Sequence, residues 1–189
     1  RDFSILAYSA FWENFDKPLI FLDGLTGLGA RSLRVAKEIP NVEKVIANDI
    51  NSDALKIAQN SANLNKISNF EVSNNETCYF FSTYSKKEKR GSIVDIDPFG
   101  SPVKYFDCAI RATMHNGLLS LTATDLQVLH GLAKNACKRK YHGTSIKTEY
   151  SNEIAIRLIL GCLDVVARRL DVQIIPQFVE NNMHYYRIY

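Results

Sequence analysis

Short apolar runs alternating with amphipathic stretches constrain this chain most, because that order is what a parallel sheet flanked by helices requires. Leu19 to Asp23 is four apolar residues closing on an acid, followed by Gly24-Leu25-Thr26-Gly27-Leu28-Gly29, so it reads as a strand running into a glycine-rich turn. Ala30 to Glu38 spaces Leu33 and Ala36 for a helix face until Pro40 stops it. Lys44 to Asn48 predicts a second strand, Ser52 to Asn65 a helix with Ser52 as its N-cap, and Phe70 to Val72 a short third strand. A helix fragment and an exposed loop fill the stretch through Arg90, before a fourth strand over Ser92 to Asp97. Pro102 leads into a helix over Val103 to Met114, Gly117 to Ala123 reads as a fifth strand, and Ser151 to Leu170 is the longest helix pattern. Two β-rich runs, Asp171 to Gln177 and Met183 to Tyr189, separated by Glu180-Asn181-Asn182, predict an antiparallel hairpin. The expected fold is α/β: a mostly parallel, doubly wound sheet with a C-terminal hairpin and no linker dividing the 189 residues.

A chain of this length buries a sizeable core without disulfide or metal staples. The longest apolar candidate, Ile154 to Ala167, is broken by Arg157 and Asp164 and falls short of the roughly 20 residues that cross a bilayer, so no membrane association is expected. Cys78, Cys108, Cys137 and Cys162 never form a Cys-x-x-Cys and read as reduced, partly buried thiols of an intracellular protein. His115, His130, His142 and His184 lack metal-ligand spacing, so no metal is expected. The net charge of +3 neither demands nor excludes a nucleic acid. Basic residues nevertheless cluster at Lys86, Lys87, Lys89 and Arg90 and at Lys134, Lys138, Arg139 and Lys140, where the alternative is a solvated loop or helix end. The chain begins at Arg1 without a leader pattern and reads as an excised piece.

The glycine turn places backbone at the carboxyl edge of the sheet, where such folds bind ligands. Gly24, Gly27 and Gly29 do not match the dinucleotide spacing, and a phosphate-loop lysine is missing; what remains is an acid three residues before a Gly-x-Gly, here Asp23, Gly27 and Gly29. Asp49, 20 residues after Gly29, can accept two hydrogen bonds from a ribose diol, unless it caps the helix beginning near Ser52. Glu76, after the third strand, could accept from an exocyclic amine. An adenosine ligand without pyrophosphate fits best, and S-adenosylmethionine is the common one.

The fourth strand ends as Asp95-Ile96-Asp97-Pro98-Phe99-Gly100-Ser101-Pro102. Asp95 and Asp97 are expected on opposite sides of the strand with different tasks, Asp97 at the carboxyl edge and Asp95 one step back. Pro98 turns neighbouring carbonyls outward and Phe99 offers a face for stacking a planar ring. A carboxylate, carbonyl acceptors and an aromatic plate suit an exocyclic amine of a base, which must be held by its N–H groups and relieved of a proton as it attacks a methyl carbon. The alternative is a Pro-Gly turn with a capping acid and a core Phe. An amino-methyltransferase acting on DNA adenine or protein glutamine, or a nucleotide-binding module without catalysis, would also account for these residues.

With these motifs the sequence resembles the tRNA (guanine-26) N2-dimethyltransferase family over nearly its whole length. The resemblance is carried by Arg1-Asp2, Asp23 to Arg31, Asn48-Asp49, Asp95 to Pro102, Leu121-Thr122-Ala123-Thr124-Asp125, and the Lys140-Tyr141 and Glu153 neighbourhood. It implies a Rossmann-like class I methyltransferase fold, S-adenosylmethionine as methyl donor, and one or two methyl transfers to N2 of a guanine in tRNA. It places Arg1, Arg31, Asp49, Glu76 and Thr77 on donor-binding positions, with Glu76-Thr77 standing where the family has Asp-Ala. It also makes Asp97 the acid/base and lets Phe99 stack the guanine. Asp125 would cap the next helix or line the guanine pocket. The resemblance further implies a monomeric catalytic domain over 1–189 whose family C-terminal domain lies beyond this chain, with weak tRNA binding in isolation and the basic clusters on the tRNA backbone. Its location would be intracellular: nuclear or mitochondrial in a eukaryote, otherwise cytoplasmic.

Overall fold

The computed structural model describes residues 1–13 and 18–189. In chain order the elements are α1 (Asp2–Glu13), β1 (Leu19–Asp23), α2 (Ala30–Glu38), β2 (Val42–Asn48), α3 (Ser52–Leu64), β3 (Phe70–Ser73), α4 (Thr77–Thr83), β4 (Gly91–Ile96), α5 (Phe106–Ala112), β5 (Thr113–Ala123), α6 (Leu126–Leu129), α7 (Lys134–Tyr141), α8 (Ser151–Arg168), β6 (Val179–Asn182) and β7 (Tyr185–Ile188). Single 3-10 turns at Lys87–Lys89 and Val103–Tyr105 precede β4 and α5. The strands form one sheet in the order β3-β2-β1-β4-β5-β7-β6. β1 is parallel to β2 and β4, and β2 to β3, while β7 runs antiparallel to β5 and β6. The fold is therefore the mostly parallel, doubly wound α/β sheet with an antiparallel C-terminal pair that the alternation predicts. The centre of the sheet is covered on both faces: β4 is buried at all six positions, Ser92 and Asp95 included.

Two compact units share the chain. The first, residues 1–97 and 108–120, has a core built around Phe21, Leu22, Val45, Phe80, Phe81 and Ile93. α1 lies against it through Tyr8, whose ring is 5.4 Å from that of Phe21 and whose hydroxyl is 2.7 Å from Ser120 Oγ. The second, residues 98–107 and 121–189, buries Phe106, Leu121, Leu129, Ile159, Leu163 and Tyr186. Arg187 is buried in it and donates to Thr122 Oγ1 at 2.7 Å.

Several elements differ from expectation. α3 is capped by Asn51, whose side chain accepts from Asp53 N and Ala54 N, so Ser52 is the first helical residue. The hairpin is shifted: Glu180, Asn181 and Asn182 belong to β6, Asn182 pairs with Tyr185, and only Met183-His184 turn, while 171–178 form no strand. Polar residues on the edge strand β6 gave it the look of a turn. β5 starts four residues early because α5 passes into it directly, through Thr113 to Asn116, which have no apolar alternation. Cys78 and Cys108 are joined in a disulfide across 5.4 Å between Cα atoms, which overturns the expectation of four thiols. Thirty residues separate them in sequence, and only the fold brings the start of α4 to α5. Cys137 and Cys162 are free and buried. Among the described residues no helix is long and apolar enough to cross a membrane, and no His, Cys, Asp and Glu cluster could hold a metal.

Candidate active site

The glycine turn of the first unit is held by the carboxyl ends of the two strands that flank β1, namely β2 and β4. Gly24 N donates to the Asp95 carbonyl at 3.0 Å, Thr26 N to the Asn48 carbonyl at 2.8 Å, and Gly27 N to Asp49 Oδ2 at 2.8 Å. The Gly24 carbonyl accepts from Asn48 Nδ2 and from Thr77 Oγ1. Gly27 and Gly29 have φ of 56° and 77°, the left-handed region that glycine enters without strain. Open space lies where a Gly27 side chain would stand, whereas a Gly29 Cβ would meet Ala58 of α3 at 2.8 Å. The turn thus presents bare backbone at Gly27 and lets α2 approach α3 at Gly29.

Asp23 and Asp95 are register partners on β1 and β4, and both are buried. Asp23 accepts from Leu25 N and Ser32 Oγ. Burial first, then the Asp95 carboxylate, push its carboxyl up to about 6. Asp95 accepts from Arg31 Nη1 at 2.8 Å and Ser120 Oγ at 3.0 Å. Both carboxylates are bonded inside the protein: Asp23 ties the turn to α2, and Asp95 holds Arg31.

Arg31 also donates through Nη2 to Asp97 Oδ2 at 2.8 Å. Asp95 and Asp97 therefore face the same side, correcting the expectation of opposite sides: residues two apart share a face in a period-2 strand. Their tasks still differ, because Asp95 is fully buried and the Asp97 side chain is one-third exposed. Asp97 Oδ1 accepts nothing among the described residues.

Asp49 accepts from Asn51 N at 2.9 Å as well as from Gly27 N, so it bridges the glycine turn and the start of α3 without capping the helix. Glu76 caps α4 through Tyr79 N at 2.9 Å, and Thr77 beside it is buried against the turn. Arg1 is exposed at the start of α1, and its neighbour Asp2 pairs with Arg34 of α2. The structure brings Asp23, Gly27, Gly29, Asp49 and Thr77 onto one hydrogen-bonded turn, with Arg31, Asp95 and Asp97 in one ion-pair cluster. Among the described residues Arg1 makes no hydrogen bond or ion pair with either; its carbonyl accepts from Ile5 N. Asn48 and Ser32 hold this turn as firmly as the acids do; a buried Asn at a strand end is the signal that would have marked the first.

In the second unit the chain continues as Pro98-Phe99-Gly100. Pro98 is buried, Phe99 is fully exposed at 106%, and Gly100 has φ 87°. Asp125 occupies the N-cap position of α6 but makes no capping bond. Its carboxylate accepts instead from Tyr141 Oη at 2.7 Å and Lys140 Nζ at 3.0 Å, which corrects the expectation that it caps the helix.

Comparison with known proteins decides the family. The sequence profile described as N2,N2-dimethylguanosine tRNA methyltransferase matches residues 1–189. The chain belongs to this family. Relatives within the dimethyltransferase family include the tRNA (guanine(26)-N(2))-dimethyltransferase of Methanocaldococcus jannaschii, 40% identical over all of this chain and 51% of the relative. Another is the tRNA (guanine(26)-N(2)/guanine(27)-N(2))-dimethyltransferase of Aquifex aeolicus, 31% identical over all of this chain and 48% of that one. The chain spans about half the length of the curated relatives it matches. A solved structure of Trm1 from Pyrococcus horikoshii with S-adenosyl-L-methionine superposes with a TM-score of 0.88 at 27% identity, covering 99% of this chain and 53% of that one. M. jannaschii TYW2 in complex with AdoMet, at 12% identity and a TM-score of 0.61, shares the fold.

Proposed function

We propose that this chain is the catalytic domain of an intracellular tRNA methyltransferase that moves one or two methyl groups from S-adenosylmethionine to N2 of guanine-26. The observation that carries this reading is the Asp97-Pro98-Phe99 turn, with a half-open carboxylate and an exposed ring, following directly on the strand that closes against the glycine turn. The family's relatives and the donor-bound Trm1 structure support the choice of donor and base.

The residues present fit such a donor. Gly27 leaves the turn open, Asp49 stands beside it with lone pairs to spare for a ribose diol, and Glu76 uses one oxygen for its cap and keeps the other. Arg31, Asp95 and Thr77 act by fixing this frame. When bound, the donor supplies an electrophilic methyl on a sulfonium. Asp97 then holds the guanine N2–H and takes its proton through the oxygen Arg31 leaves open, while Phe99 stacks the base, flipped or exposed, to fix its plane.

The charge distribution supports an RNA substrate. The second unit carries ten basic and seven acidic residues, while the first holds thirteen of each, so the whole excess lies in the second. α7 alone has four cations and no acid. The test is the nucleoside product formed on unmodified tRNA by a full-length protein carrying this chain, beside Asp97→Ala. N2-methylated guanosine from the wild type and none from the variant, with donor binding intact, is the expected result. Retained turnover in Asp97→Ala removes the acid/base role, and label in DNA or protein alone removes the substrate.

A further inference from the structure

Phe99 poses a physical problem. A side chain that stacks a base must be placed within fractions of an ångström, yet its ring is fully exposed and takes no position from packing. The backbone must supply the precision. On one side Pro98 restricts φ. On the other, Gly100 sits at φ 87°, a region glycine enters without strain and leaves as easily, so its conformation has to be fixed by its neighbours.

The polar residues that close β5 and end α7 supply that hold. Thr124 Oγ1 accepts from Gly100 N at 2.6 Å, and Thr124 N donates to the Gly100 carbonyl at 2.9 Å, so both peptide groups of Gly100 are clamped by one residue. The next residue, Ser101, donates to Tyr141 Oη at 2.9 Å, and Tyr141 donates onward to Asp125 Oδ1 at 2.7 Å. Lys140 neutralises the other Asp125 oxygen at 3.0 Å. Tyr141 and the Asp125 side chain are buried, at 3% and 7% exposure, so water competes little for these bonds. Burial also raises the phenol, which keeps the Tyr141 proton in place to be donated. Thr122, two residues back on the same face, is anchored by Arg187. The Thr-x-Thr-Asp run therefore spends every polar side chain on fixing the strand end and the turn that follows Asp97.

We propose that Thr124, Asp125 and Tyr141 are positioning residues for methyl transfer, a brace that sets the backbone at Gly100-Ser101 and through it the placement of the Phe99 ring. This rests on the assignment of Phe99 to base stacking. None of the three touches substrate on this reading, and none belongs to the glycine turn, so their removal should act on turnover and leave donor binding alone.

The experiment uses the full-length protein with Tyr141→Phe, Thr124→Val and Thr124→Ser. Tyr141→Phe keeps the ring and deletes both hydroxyl bonds, Thr124→Val deletes the Oγ1 half of the clamp at near-constant volume while its backbone half remains, and Thr124→Ser restores the lost bond. Tyr141→Phe and Thr124→Val are expected to lower kcat by about tenfold to a hundredfold. KM for tRNA, donor Kd and the thermal midpoint should stay close to wild type, and Thr124→Ser should recover most of the rate. Unchanged kcat in either variant overturns the brace, as does a joint fall of kcat, donor affinity and thermal midpoint. A fluorinated phenylalanine at position 99, followed by fluorine NMR, reads the brace without activity. Tyr141→Phe should turn one resonance into a broadened or multiple signal, and an unaltered line overturns the proposal even if the wild type proves inactive on tRNA. Wild-type inactivity with an altered line would instead count against the substrate assignment.

Discussion

At Gly24 the first turn of the sheet edge leaves no room for a methyl group: a Cβ there would lie 2.5 Å from Phe81 Cζ and 3.0 Å from Thr77 Cγ2. Phe81 is fully buried and cannot swing away, so Gly24→Ala should destabilise the protein by about 1–3 kcal/mol, read by urea denaturation, and weaken donor binding with it. Asp23 makes a different prediction. Its carboxyl is raised to about 6 in the folded protein against 3.8 when free, so between these values the folded state holds a proton that the unfolded state releases. Its contribution to stability is present below pH 4 and is lost as pH rises through 6. Comparing wild type with Asp23→Asn between pH 4 and 7, the difference should move against the wild type as pH rises, and a flat difference would refute it. Neither effect could be read from sequence. The glycines and acids are visible there, but Phe81 opposite Gly24 and Asp95 opposite Asp23 are set by tertiary register.

At the scale of elements, α2 is fastened to the end of β4 by Arg31, which sits between a fully buried carboxylate and a half-open one. Arg31→Met would leave Asp95 charged and buried without its cation, a loss of roughly 3–5 kcal/mol measurable in the denaturation midpoint. The strands and the helices of the β/α repeat were legible in sequence because apolar periodicity reports them directly, and the glycine turn because its spacing is local. α1, α6 and α7 were not. α6 is four residues long, and α7 is so basic that it read as a charge cluster. The candidate site was half legible: Asp97, Phe99 and Asp49 stood out as residue types at strand ends. The partners that give them geometry, Thr124, Tyr141 and Arg31's double bridge, come from segments 24 to 66 residues away. The Cys78–Cys108 disulfide failed for the same reason, since its spacing matches no local pattern.

For the whole molecule the decisive fact is that neither compact unit is a continuous stretch of chain. The backbone leaves the first unit after Asp97, returns at Cys108, and leaves again after Ser120. A fragment ending at residue 97 lacks the partner of Cys78 and the serine that binds both Tyr8 and Asp95. It should unfold without cooperativity by circular dichroism, whereas a fragment ending at 120 should show a sigmoidal transition; equal behaviour of the two would contradict the division. On the ribosome this order of segments imposes a schedule. β1, β2, β3 and the glycine turn emerge early, yet the nascent chain must extend past residue 120 before that unit can close. By then Asp97 and Phe99 have already left the exit tunnel, still waiting for the Thr124 and Tyr141 that hold their turn.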